Sequence, residues 1–151
     1  MIDKRMYFRG DKMAVVLMFN IEKSKAVKIK VLCRKFFMEA TEVSKENFGC
    51  KISYLLGMSE DREGAENSDF SEEMLYFAEV NGGLFSIFLD RLRREKATVD
   101  LKAVKTETNV NFTPYELYRE ISAEREAIAR GESAHLFNAL IQLNRLRKQA
   151  V

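Results

Sequence analysis

From Met13 to Ile21 every residue except Asn20 is apolar, and Val15, Val16, Phe19 and Ile21 are strong strand formers. A stretch this uniform offers no face to water. It fits a strand covered on both sides, in the middle of a sheet. A chain built around such a strand must supply two layers of cover. With 151 residues it has the length of one domain, and it can bury about 68–70% of the surface its unfolded state exposes. Its apolar share of 46% is ordinary, and its charged share of 32% exceeds the usual ~25%. The first argues against wholesale disorder and the second against a membrane protein.

Glu22 to Ala40 reads as a helix, with Ala26, Ile29, Leu32, Cys33, Phe36 and Ala40 on one stripe. Val27, Val31 and Met38 form a second stripe, and lysines and Arg34 fill the rest. Thr41 to Lys45 suits a short strand. Cys50 to Leu56 suits a short helix closed by Gly57. Residues 59–72, acidic and carrying Gly64, Asn67 and three serines, read as a mobile loop. Glu73 to Val80 is again strand-like, and Asn81-Gly82-Gly83 turns it into a helix from Leu84 to Lys96, with Phe85, Phe88, Leu89 and Leu92 inward. Val99 to Lys105 alternates apolar and polar residues, as a half-exposed strand does. Thr113-Pro114-Tyr115-Glu116 is a capping box with proline at the first helical position, and it opens a helix to about Arg130. After Gly131 a further helix is expected from Ser133 to about Lys148. No internal repeat and no Gly/Ser linker is evident.

The order strand–helix–strand, strand–helix–strand, then helices, predicts an α+β ferredoxin-like split βαβ sandwich with a C-terminal helical extension. A small α/β parallel sheet is the alternative. Residues 1–151 are expected to form a single domain: an N-terminal arm over 1–12, an α+β core over 13–112 and C-terminal helices over 113–150.

The net charge is +2, too small to imply a nucleic-acid partner. Its distribution is uneven: residues 1–58 carry 12 Lys/Arg against 6 acids, whereas residues 59–81 carry 1 against 8. Cys33 and Cys50 are the only cysteines and His135 the only histidine, so a four-ligand zinc site is excluded. The cysteines read as reduced thiols of a cytoplasmic protein. The N-terminus lacks a signal-peptide cleavage site, and no apolar run reaches the ~18 residues of a membrane span.

Three segments together carry a resemblance. Glu73-Glu-Met-Leu-Tyr-Phe-Ala-Glu-Val80 precedes a helix with Leu89-Asp-Arg-Leu92. Asp100-Leu-Lys-Ala-Val-Lys-Thr106 is followed by Thr108-Asn109, Phe112-Thr113, Glu116-Leu117, and a helix with Glu120 and Glu124. This resembles a small bacterial family known as a domain of unknown function, family 3783. That family's pattern is an apolar strand, a helix, Lys-Ala-Val-x-Thr-x-Thr-Asn, an aromatic, Thr, Leu and a Glu-bearing helix. The aromatic, often Trp in the family, is Phe112 here. The match is best over about residues 73–126 and extends loosely to the strand at residue 13 and to Tyr54-Leu-Leu-Gly57. The resemblance implies a fold and a bacterial setting, and no activity.

Lys102, Thr106, Thr108 and Asn109 concentrate donors at a strand end before a capped helix. They suit a pocket for a small anion; equally, they suit an ordered loop whose side chains satisfy its own backbone. No catalytic residue, metal ligand or cofactor is indicated. Gly82-Gly83 lacks the rest of any nucleotide-binding fingerprint, the acidic loop lacks calcium-loop spacing, and His135 has no nucleophile motif beside it. Phe19, Tyr76 and Phe77 could serve RNA, but the usual aromatic RNA motif is missing. The expected function is a non-enzymatic module that self-associates, as a homodimer through the Val27/Val31/Met38 stripe or the last helix, or binds a small anionic ligand. The alternatives are an enzyme using the Lys102 region and a weak RNA-binding module.

Overall fold

The computed structural model describes residues 12–64 and 69–131. Strand β1 (Val15–Phe19) pairs in parallel with β2 (Glu39–Val43) and antiparallel with β3 (Met74–Ala78). Strand β3 pairs in parallel with β4 (Leu101–Val104), giving one sheet of order β2-β1-β3-β4. Among the described residues the α-helices are α1 (Lys23–Lys35), α2 (Ile52–Leu55), α3 (Gly82–Arg94) and α4 (Pro114–Ala129). The two uniformly apolar strands, β1 and β3, are the central pair, and the two strands of mixed polarity are the edges.

Helices α1 and α3 cover one face. Val16, Met18, Leu75 and Phe77 of the sheet meet Ala26, Ile29, Leu32 and Cys33 of α1 and Leu84, Phe88 and Leu92 of α3. Phe77 packs edge-on against Phe85 and Phe88 at centroid separations of 4.9 and 5.8 Å, a favoured aromatic geometry. Burial pushes the Cys33 thiol up to about 12, so it is a packing residue rather than a nucleophile. On the opposite face Phe19 meets Phe48 and Phe70 of the long connection between β2 and β3, and Phe70 stacks on Tyr118 of α4 at 4.5 Å.

The helix expected over 22–40 is shorter and the strand after it starts earlier. Glu22 is the cap, its carboxylate accepting from the Ser24 and Lys25 backbone N–H groups. Phe37 turns left-handed (φ 56°) and ends α1, which puts Glu39 and Ala40 in β2. Met38 therefore leaves the second helical stripe and enters the core, while Val27 and Val31 stay exposed. The acidic connection is also more ordered than its composition implies. Cys50 bridges Glu63 across a short antiparallel contact, and Phe70 is buried. At Gly64 an added Cβ would lie 2.4 Å from Thr113 Cγ2 and 2.6 Å from the Gly49 carbonyl, so only glycine fits. The capping box forms as read: Thr113 Oγ1 accepts from Glu116 N–H and Glu116 accepts from Thr113 N–H.

The α+β class holds, but the strand order is not that of the split pattern. A split arrangement seats β3 between β1 and β2; here β2 lies beside β1, and β4 takes the far edge beside β3. The two orders share the same central strands and differ by exchanging the edges. Strand polarity, which reports centre or edge, is therefore blind to the difference. The 30-residue connection 44–73 is the discriminating feature. It is far longer than a hairpin turn and runs across the far face of β1 instead of joining neighbours.

An internal repeat, not evident from residue identities, is plain in the backbone. From the first strand to the close of its helix the landmarks recur 59 positions later: β1 and β3, the left-handed Asn20 and Glu79, the caps Glu22 and Asn81, α1 and α3, and the left-handed Phe37 and Lys96. Each helix ends in the same pair of backbone bonds, Met38 N–H to Cys33 and Ala97 N–H to Leu92, both 2.8 Å, the Schellman closure. A local two-fold passes between Leu17 and Tyr76, the paired midpoints of β1 and β3. Between residues 15–38 and 74–97 only Arg34 and Arg93 are identical, so the symmetry is one of conformation.

The chain divides into two compact units at Tyr118/Arg119. In the second, the described residues Arg119–Gly131 hold the remainder of α4, with Ser122 Oγ donating to the Arg119 carbonyl. Met1–Asp11 of the expected arm, the expected helix over 133–148 and His135 lie outside the described residues. Among the described residues no helix is long and apolar enough to cross a membrane.

Lys96 is exposed and left-handed at the close of α3. A non-glycine residue there costs about 1–2 kcal/mol, partly offset by glycine's greater unfolded-state entropy. Lys96→Gly is expected to raise stability by about 0.5–1 kcal/mol in urea denaturation, whereas Lys96→Ala gains nothing.

Candidate functional site

The four residues singled out in the sequence do not form one cluster. Lys102 registers with Leu75 on the face of β4 that α3 covers. Its ammonium donates to the carbonyls of Val99 (2.7 Å) and Asp100 (3.3 Å). It borders a small hollow of about 220 Å³ with Leu89, Leu92, Arg93, Thr98 and Val99. Thr106 lies beyond the other end of β4, about 13 Å further along at strand rise.

Thr106 and Asn109 do come together. Asn109 Oδ1 accepts from Thr106 N–H (2.8 Å) and from the buried Tyr76 hydroxyl (2.7 Å), and Thr106 Oγ1 accepts from Asn109 N–H (2.9 Å). Asn109 Nδ2 donates to the Val104 carbonyl (3.0 Å). Thr108 precedes the 3-10 turn Asn109–Asn111 without capping it through its side chain. These bonds are those of an ordered loop, and burial raises the Tyr76 phenol well above its usual range, keeping it a donor. Thr106 Oγ accepts within the loop, which leaves its own proton for an outside acceptor.

A larger hollow opens at this end of the sheet, where the parallel pair β3 and β4 finishes. About 610 Å³ is lined by Lys12, Met58, Glu79, Val104, Lys105, Thr106, Glu107 and Val110. A second part of about 370 Å³ shares Lys12, Met58 and Glu79 and adds Met13, Val15, Leu56, Gly57 and Ala78. Both lie in the size range of small-molecule sites. Glu79 and Lys105 form a half-buried ion pair at its edge, and Glu79 holds a left-handed backbone (φ 59°). The lining thus joins an apolar floor to two ammonium groups, two carboxylates and a hydroxyl. Only Thr106 of these was singled out as a ligand residue in the sequence. Lys105 stood one position away, but Lys12, Met58 and Glu79 are brought in by tertiary structure, from segments with no local motif.

The uneven charge along the chain is largely answered from within. Lys25 pairs with Glu73, Lys45 with Asp69 and Lys51 with Asp61, so the basic first segment meets the acidic connection. Phe19, Tyr76 and Phe77 are fully buried and offer no stacking surface to RNA. Gly82 and Gly83 open α3 behind Asn81, whose side chain caps Leu84 N–H at 2.7 Å. Among the described residues no group of three His, Cys, Asp or Glu side chains could hold a metal ion.

A family described as "Domain of unknown function (DUF3783)" matches residues 73–128. The chain is similar to that family over this segment. The DUF3783 segment runs from β3 through most of α4, which makes it the second of the two repeated units and places Thr106, Asn109 and the Glu79–Lys105 pair inside it. No curated protein and no solved structure matches the chain.

Asn109 answers Tyr76, Thr106 and Val104 at once, so Asn109→Ala strands a buried hydroxyl and a backbone N–H. It is expected to cost about 2 kcal/mol. Lys102→Ala, by contrast, is expected to stay within about 0.5 kcal/mol, both read by thermal or urea denaturation.

Proposed function

We propose that the protein is a non-enzymatic binding module of the bacterial cytoplasm that holds a small ligand with an anionic group in the hollow at the ends of β3 and β4. The observation that carries this reading is the convergence there of Lys12, Lys105 and the Thr106 hydroxyl on a concave, partly apolar surface. Thr106 is positioned by Asn109 and, through it, by Tyr76, so its donor is held in place before any ligand arrives. The family resemblance supports the bacterial setting, and two buried free thiols suit a reducing compartment.

Titration with inorganic phosphate and with acetate, followed by ¹H–¹⁵N NMR, tests the reading. The amides of Glu79, Lys105, Thr106 and Glu107 are expected to shift together. Lys12→Gln, an exposed substitution, is expected to weaken binding about tenfold, the loss of one charge-assisted hydrogen bond. Shifts scattered over other surfaces, or none, contradict it.

Self-association is a second reading, favoured by Val27 and Val31. They lie one turn apart on α1 and are 61% and 42% exposed. Paired exposed apolar residues suit an interface between copies. A native mass spectrum is expected to show a dimer that Val27→Glu converts to monomer; a monomeric parent protein removes this reading.

A further inference from the structure

The two repeated units differ most where the hollow lies. In the first unit the end of β1 carries Phe19, whose ring meets Phe48 at 5.7 Å and Phe70 at 6.4 Å. Phe70 in turn lies between Phe48 and Tyr118, stacked at 4.7 and 4.5 Å. The left-handed Asn20 ties this layer down, its amide donating to the carbonyls of Phe70 (2.8 Å) and Glu72 (3.1 Å). Aromatic rings thus fill this corner of the far face.

Fifty-nine positions later Phe19 and Asn20 are each replaced by a residue that cannot do the same. The counterpart of Phe19 is Ala78, and the counterpart of Asn20 is Glu79. The sequence position corresponding to Phe70 is Asp11, outside the described residues. A methyl stands where a ring stood. A carboxylate, which cannot donate to carbonyls, receives the Lys105 ammonium instead. The matching corner is the hollow over Ala78, Val15, Leu56 and Met58.

From this broken symmetry we infer that the hollow receives a planar apolar body, an aromatic ring system, seated against Val15, Leu56 and Met58 beside the buried Ala78, in the corner where the first unit places its own rings. The anionic group of the same molecule points to Lys12, Lys105 and Thr106. The ligand class is therefore an aromatic anion. This inference rests on the binding function proposed above for the same site and adds the apolar half of the ligand. Apolar walls of Val15, Leu56, Met58 and Ala78 supply the affinity, and the charged rim fixes the orientation.

Two dyes of nearly the same shape separate the two halves. 1-Anilinonaphthalene-8-sulfonate carries a naphthalene ring and a sulfonate; N-phenyl-1-naphthylamine has the ring system without the charge. Both are expected to bind the full chain with one site and enhanced fluorescence, the sulfonate several-fold more tightly. Ala78→Phe, which restores the ring of the first unit, is expected to weaken both about tenfold or more. Because Ala78 is buried, Met58→Glu on the exposed rim serves as a second variant, with the same loss expected. If both variants bind the dyes as the parent does, the inference is wrong. If the sulfonate binds and the neutral dye does not, the anion reading survives and the aromatic body falls. If the two dyes bind equally and both variants abolish binding, the aromatic body stands and the anion reading falls.

Discussion

The antiparallel pairing of β1 with β3 is the contact on which the rest of this structure depends. Both strands are apolar on both faces, and together they supply Val16, Met18, Leu75 and Phe77 to one side and Phe19 and Tyr76 to the other. Burying large side chains on two faces contributes about 1.5–3 kcal/mol for each, and no other pair of elements here offers as much. Once the pair forms, the remaining elements are placed by short range. Each strand's following helix folds back over one face, and each returning strand adds in parallel at the nearer edge. The far face is left to Phe48 and Phe70 of the connection between β2 and β3 and to Tyr118 of α4.

This central pair also shows what the matched segment receives from the rest of the chain. Residues 73–128 supply β3, α3, β4 and most of α4; α3 covers one face of β3, and its second edge still needs a strand. Residues 15–55 meet that need with a second unit of the same backbone design. The two-fold between Leu17 and Tyr76 is in effect a dimer axis drawn inside one chain. Symmetry at the backbone then makes the side-chain differences informative. Where one unit fills its corner with stacked rings and the other leaves a hollow rimmed by Glu79 and Lys105, the difference is local and chemical rather than architectural.

Much of this was readable in the residues. The uniform polarity of Met13–Phe19 and Met74–Ala78 marks central strands, the stripe of Ala26, Ile29, Leu32 and Cys33 marks the buried side of α1, and Thr113-Pro114-Tyr115-Glu116 marks the start of α4. The edge order was not readable, because exchanging β2 and β4 changes no residue's burial class. The end of α1 was missed because Phe37 adopts a conformation usually left to glycine or asparagine. The repeat was hidden because left-handed turns at Asn20 and Glu79, or Phe37 and Lys96, accept unrelated side chains. The site was half legible. Thr106 and Asn109 share a local bonding pattern that Thr/Asn spacing suggests, but Lys102 is separated from them by the length of β4. Lys12, Met58 and Glu79 converge from three distant segments, and no spacing in the sequence records that.

The central claim is the sheet order, because the hollow lies where the parallel pair β3 and β4 finishes and so depends on β4 taking the edge beside β3. Cross-strand nuclear Overhauser effects on the intact, isotope-labelled protein test it most directly. The account predicts contacts between Val16 and Ala40, between Leu17 and Tyr76, and between Tyr76 and Ala103, the register pairs of the three strand junctions. Contacts of β1 with β4, together with contacts of β3 with β2, would restore the split order and contradict it.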